Sequence, residues 1–176
     1  MSLSLSSIAH TSHKTLLLII RQLPLKGNPF VDTFPILGYI KNMNGGIIME
    51  IAVGMKGTAS ALVGRNQTAK EMGSGSLLVY ATPCMAALME ESACNAIASV
   101  MENGKTSVGM ELNLKHTAAT PVGMDVHAVA EVTAVNKNII TYKITAYDEA
   151  GEIGSAEHKR AIVTTEHFLD KTYSKL

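Results

Sequence analysis

The sequence lacks most of the features that announce a function. Net charge is absent: fifteen Lys and Arg offset fifteen Asp and Glu. No overall field therefore draws the chain to nucleic acid or to an anionic membrane. Cysteine is scarce. Cys84 and Cys94, the two present, fall in one helical stretch, about 15 Å apart along its axis at the usual rise and too far to bridge within it. They read as small buried hydrophobes in a reducing, cytoplasmic setting. No Cys-x-x-Cys or His-x-x-x-His spacing occurs, so no metal-ligand pattern is present and no metal is expected. "MGSGS" (72–76) is too short for a nucleotide-binding glycine loop and lacks the strand-to-helix setting such a loop needs. Long apolar runs are also missing near the start. Leu16 to Ile20 is cut by Arg21, too short for a secretory signal or a membrane span.

What is there fits one domain. The 176 residues are 47% hydrophobic, ordinary for a globular protein with a sizeable core. Residues 1–48 differ in character: three of the five prolines, two of the three phenylalanines and four early serines, with no sustained periodicity. They are expected to be a poorly ordered extension, or the product of a mis-assigned start, with the folded domain spanning 49–176.

From Met49 the elements can be read in order. "EIAVGMKGTASALVG" suits a strand broken by glycines, and a polar, glycine-punctuated loop follows it. Thr82 as N-cap with Pro83 at the first helical position predicts a helix of about twenty residues, ending near Met101 before Gly104. The period then changes to two. Val108, Met110, Leu112, Leu114 and His116 are expected on one face of a strand. Val126, Ala128, Ala130, Val132 and Ala134 form the next, and Ile140, Tyr142, Ile144 and Ala146 a third. A fourth strand runs from Ile153 to Phe168. Short links predict an antiparallel meander, and the only large element able to cover its apolar face is the helix. The fold class is therefore α+β, a curved antiparallel sheet around one long helix, whose open edges invite a homodimer.

Three residues stand out for chemistry. Glu90 falls on the helix stripe of Ala86, Ala93, Cys94, Ile97 and Met101, whereas Glu91 falls on a more polar one. A carboxylate there needs compensating partners, or lies at an edge where it reaches water. His116 ends the apolar face of its strand, either as a satisfied core residue or as a reactive group aimed at the helix. Thr82 has a full explanation as a cap, yet its hydroxyl stands where a helix N-terminus favours developing negative charge.

The order of elements, with "ATPCMAALMEESA" opening the helix and "LNLKHTAATPVGMDVHAVAEV" and "EIGSAEHKRAIV" on the strands, resembles the hotdog-fold thioesterases related to fluoroacetyl-CoA thioesterase. The resemblance covers roughly Met49 to Phe168. It implies catalytic roles for Thr82, Glu90 and His116 near a dimer interface, and substrate-binding roles for Gly109 and Arg160. It also implies hydrolysis of an acyl-CoA thioester, with Glu90 as nucleophile or general base and no cofactor beyond the CoA of the substrate. Backbone N–H groups at the helix start would hold the oxyanion. The family's phenylalanines upstream of the catalytic threonine are replaced here by "MGSGSLLVYA", which points to a short or medium acyl group rather than fluoroacetyl alone. Two other readings share the fold: a non-catalytic binder of acyl-CoA or a small ligand, and a hydratase or dehydratase.

Overall fold

The computed structural model describes residues 40–43 and 46–176, with side chains from Glu50 onward. Most of the extension expected over 1–48 lies outside the described residues. Its last part forms a two-stranded antiparallel hairpin, β1 (Ile40–Met43) with β2 (Gly46–Met49). The remaining elements are β3 (Lys56–Leu62), α1 (Thr82–Ile97), β4 (Lys105–His116), β5 (Asp125–Asn136), β6 (Ile139–Asp148), β7 (Gly151–Thr164) and α2 (Thr165–Tyr173).

The five long strands form one antiparallel sheet in the order β3-β5-β6-β7-β4. Period-two alternation builds its inner face: Ala128, Ala130, Val132, Ile140, Tyr142, Ile144 and Ala146 are all fully buried. Against that face lies α1, whose Met85, Leu88, Met89, Ser92, Ala93, Ala96 and Ile97 recur at helical spacing and are buried. Burying Met85 and Met89 contributes about 1.5–3 kcal/mol each. Contact is closest at β3, where a Cβ on Gly57 would collide with the backbone of Ser92 and Ala96. Only glycine lets the helix lie so near the strand.

Three expectations are corrected. The last four strands are not a meander, because β4 pairs with β7 at the far edge and not with β5. The connection between them, residues 117–124, is too long for a hairpin and crosses the end of the sheet. The alternation of β4 is also broken. A bulge between Gly109 and Glu111 inserts Met110 as an extra residue, so Gly109 pairs with Arg160 and Leu112 with His158. The bulge swaps the faces of the residues before it: Gly109 shares the inner face with Leu112, Leu114 and His116, and Val108 does not. Met110 is 58% exposed. Finally, β7 stops at Thr164, and "TEHFLDKTY" is α2 rather than strand. Glu166 in its first turn and Lys171 in its last complement the helix dipole.

Candidate active site

Thr82 is the first residue of α1, not its cap. The N-cap is Ala81, in extended conformation and with no side-chain bond to the helix, and Pro83 follows Thr82 inside the first turn. The Thr82 hydroxyl is spent elsewhere: Oγ1 lies 2.9 Å from Nδ1 of His116. One hydrogen bond thus joins the helix start to the end of β4, and the other ring nitrogen, Nε2, is buried with no partner. A buried polar atom left open in this way marks a position for a ligand, a water or another chain.

The surrounding backbone is firmly held. Thr117 and Ala118 donate their N–H groups to the Ile153 carbonyl, and Tyr80 donates to Thr120. Thr120, itself fully buried, donates to Asp148 Oδ2 at 2.8 Å. Desolvation would raise the Asp148 carboxyl, but the bonds from Thr120 and from the Ala150 and Gly151 N–H groups outweigh it and lower its pKa. His116 and Thr82 border an open cleft of about 310 Å³, whose walls include Ser74, Val79, Tyr80 and Ala118. Burial pushes the nearby Cys84 thiol up, which keeps it protonated and a poor nucleophile.

The expected set of helix N–H donors at this end shrinks to one. Cys84 and Met85 already donate to the Ala81 carbonyl, Ala81 donates to Gln67, and Pro83 has no N–H. Among the described residues of this turn, the Thr82 N–H is the donor left free.

A second cluster forms deeper along the helix. Glu90 is half-exposed, 44% of its side chain reaching solvent, so of the two expectations for a carboxylate on that stripe it meets both, an edge that reaches water and charged partners on the inner side. Its Oε1 stands 3.8 Å from Arg160 Nη1 and 3.6 Å from His158 Nε2. It also occupies the space that a Cβ on Gly109 would need. The bulge turns Gly109 inward, and the missing side chain makes room for the carboxylate. Arg160 is 6% exposed. Its Nε donates to Ser107 Oγ at 2.9 Å, its Nη2 to the Ser107 carbonyl at 2.8 Å, and its Nη1 to His158 Nε2 at 3.2 Å. Glu90 is the carboxylate within reach of this buried cation among the described residues. A buried guanidinium needs such a partner, which explains an acidic residue on that stripe.

The five expected site residues thus fall into two groups. Thr82 and His116 meet; Glu90, Gly109 and Arg160 meet; the groups are eight residues apart on α1, about two turns and 12 Å of helix. His158 belongs with the second group and carried no sequence signal beyond its place in an alternating strand. Among the described residues no cluster of three or more His, Cys, Asp or Glu could hold a metal ion, and no helix is long and apolar enough to cross a membrane.

A carboxylate, an imidazole and a free N–H donor thus stand along one helix wrapped by a curled sheet, and comparison with known proteins shows which family has this fold. The family model for fluoroacetyl-CoA-specific thioesterase matches residues 63–166, more than half of the chain. The chain belongs to this family. The fluoroacetyl-CoA thioesterase of Streptantibioticus cattleyicolor is 38% identical over 97 residues, covering 55% of this chain and 70% of that protein. A solved structure of the fluoroacetyl-CoA thioesterase aligns with a TM-score of 0.68 at 32% identity, over 72% of this chain and 98% of that one. A thioesterase superfamily member from Thermus thermophilus aligns at 0.65 and 25% identity, over 72% and 96%. This fluoroacetyl-CoA-specific thioesterase family match covers both clusters, from Thr82 to Arg160.

Proposed function

We propose that the protein hydrolyses short or medium acyl-CoA thioesters to the free acid and CoA, in a site that two copies of the chain complete. Family membership supports the hydrolase chemistry. The observation that carries the shared site is the split itself: Thr82 and His116 at one end of the helix, with an unpartnered Nε2, and the half-exposed Glu90 carboxylate two turns away. A partner's Glu90 set against Thr82 and His116 would supply what each half lacks.

In that arrangement Glu90 attacks the thioester carbonyl or draws a proton from water. The Thr82 N–H faces the developing oxyanion, and the Thr82 hydroxyl orients the His116 ring, which protonates the departing thiolate. The chemistry calls for no metal or prosthetic group, since CoA enters with the substrate. A burst of thiol in the first turnover, with the acyl group trapped on the Glu90 carboxylate, identifies Glu90 as nucleophile. The open cleft, where Ala69, Ser74, Ala118 and Ala119 leave room beside Tyr80, suits an acyl group larger than fluoroacetyl. We place the domain at 49–176 and the protein in the cytoplasm, in keeping with its two unpaired cysteines.

Mixing two impaired variants tests the shared site. Thr82→Ala and Glu90→Ala, refolded together, recover about a quarter of wild-type thiol release if each site draws on both chains, because half the dimers then carry one intact site. No recovery would mean that the residues act within one chain. Release of water or an enoyl product without thiol would favour the hydratase reading, and CoA binding without any turnover the binding-protein reading.

A further inference from the structure

His158 sits at the junction of every feature that shapes the Glu90 cluster, and the proposed reaction gives it no part. It is 1% exposed and faces Arg160 on its own strand, Glu90 on α1, the Gly109–Glu111 bulge on β4 and the Tyr142 ring on β6, whose centroid is 6.1 Å away. Both ring nitrogens are committed. Nδ1 lies 2.8 Å from the Glu111 carbonyl, and a carbonyl only accepts, so Nδ1 carries the proton. Nε2 is then the bare nitrogen and accepts from Arg160 Nη1. An ion pair between His158 and Glu90 is thereby ruled out, since a bare nitrogen at 3.6 Å offers the carboxylate no proton. What reaches Glu90 from this side is the guanidinium.

Taking these contacts together, we infer that His158 is a positioning residue for the proposed thioester hydrolysis, a neutral imidazole that aims Arg160 at the Glu90 carboxylate and fastens the bulge that turns Gly109 inward. The role rests on the hydrolase reading. Desolvation lowers the His158 pKa, ahead of the opposing bond to Glu111, the lowering by Arg160 and the raising by Glu90. That agrees with an uncharged ring. Protonation would set a cation on Nε2 against the guanidinium 3.2 Å away and turn Arg160 off its line.

A structural histidine and a positioning one differ in what they do to turnover. His158→Leu removes both bonds and should lower kcat about a hundredfold with KM changed less than threefold, the effect of a small misplacement of a reacting group. His158→Gln keeps an amide oxygen for Arg160 and should restore most of the loss. Adding His158→Leu to Arg160→Ala should cost less than a further threefold, because the guanidinium it aims is already gone. The ¹⁵N spectrum of the wild-type imidazole provides a readout independent of folding in the variants: proton on Nδ1, Nε2 bare, ring uncharged at pH 7. A proton on Nε2, a charged ring at pH 7, or losses that simply add in the double variant would overturn the role while leaving hydrolysis intact. Absence of thiol release from the wild type would overturn both.

Discussion

Gly109→Ala puts one methyl group where Glu90 Oε1 now stands, with the Glu90 Cδ and His158 Cε1 atoms next nearest at 3.4 Å. The collision is with the end of a flexible chain, not with backbone, so the fold can relax by swinging Glu90 toward solvent. The side chain is already 44% exposed, and the cost is an off-rotamer strain of about 0.5–1.5 kcal/mol. Alanine also removes glycine's entropy penalty in a strand, about 0.5–1 kcal/mol in its favour. The two nearly cancel, which leaves the weakened pairing with Arg160, about 1 kcal/mol after screening, and the melting temperature should fall by about 2–4 °C. Activity should respond very differently. At 3.8 Å from Arg160 the carboxylate gains about 4 kcal/mol at an effective dielectric of about 20, roughly half of it lost on a 3 Å withdrawal. Solvent screening of a half-exposed group reduces that loss to about 1 kcal/mol. A displaced reacting group adds about a hundredfold in rate. The expected result is thiol release from acyl-CoA reduced between a hundredfold and a thousandfold in kcat, with the thermal midpoint lowered by only a few degrees. Wild-type kcat in a folded Gly109→Ala protein would refute the reasoning that this glycine exists to seat the carboxylate.

The other expectations follow from the same contacts. Thr82→Val keeps the shape of the helix start but removes the bond to His116 Nδ1; kcat should fall about tenfold or more with Tm held within about 4 °C, by thiol assay and calorimetry. Asp148 has its pKa lowered in the fold, so its contribution to stability is complete above the ordinary value of 3.8 and is lost as pH falls through the folded value. Denaturant midpoints should accordingly decline in acid, and less so in Thr120→Val, which removes one of the bonds responsible. His158, also lowered, works in the window just above: stability is full above its ordinary 6.5 and declines as pH drops below it, a slope that should vanish in His158→Gln. Gly57→Val should cost several kcal/mol or prevent folding, because the collision there is with the Ser92 and Ala96 backbone, which cannot swing away. A chain beginning at Met49 should retain turnover, since both clusters lie between Thr82 and Arg160.

Periodicity made most of the architecture legible. The alternation of Ile140, Tyr142, Ile144 and Ala146 is strong because the set is fully buried; the helix stripe of Ala86, Ala93, Cys94, Ile97 and Met101 lies to one side of the face that is buried deepest, which Met85, Met89, Ala93 and Ile97 form. Strand order was not legible. Alternation says which face a residue takes but not which neighbour its strand finds, and nothing in the pattern of β4 says that it pairs with β7 while the 117–124 connection carries the chain away to β5. The bulge at Met110 was hidden for a related reason: "TSVGMELNLKH" keeps a smooth apolar pattern through the break, so Val108 was assigned inward where Gly109 belongs. Thr82 satisfied every rule for a cap, and only the structure shows its hydroxyl turned to His116. Glu90 stood out because a charge on an apolar stripe conflicts with its surroundings. The buried Arg160 that resolves the conflict is seventy residues away in sequence, and His158, which braces it, conflicts with nothing.

The most direct measurement is thiol release from a panel of short and medium acyl-CoAs by the wild-type protein and by Glu90→Gln, an isosteric change that leaves the fold intact and removes the charge. Turnover by the wild type that falls at least a thousandfold in the variant, with the domain still folded, is the predicted result. Equal turnover in the two proteins, or none in either while CoA still binds, would contradict Glu90-dependent hydrolysis.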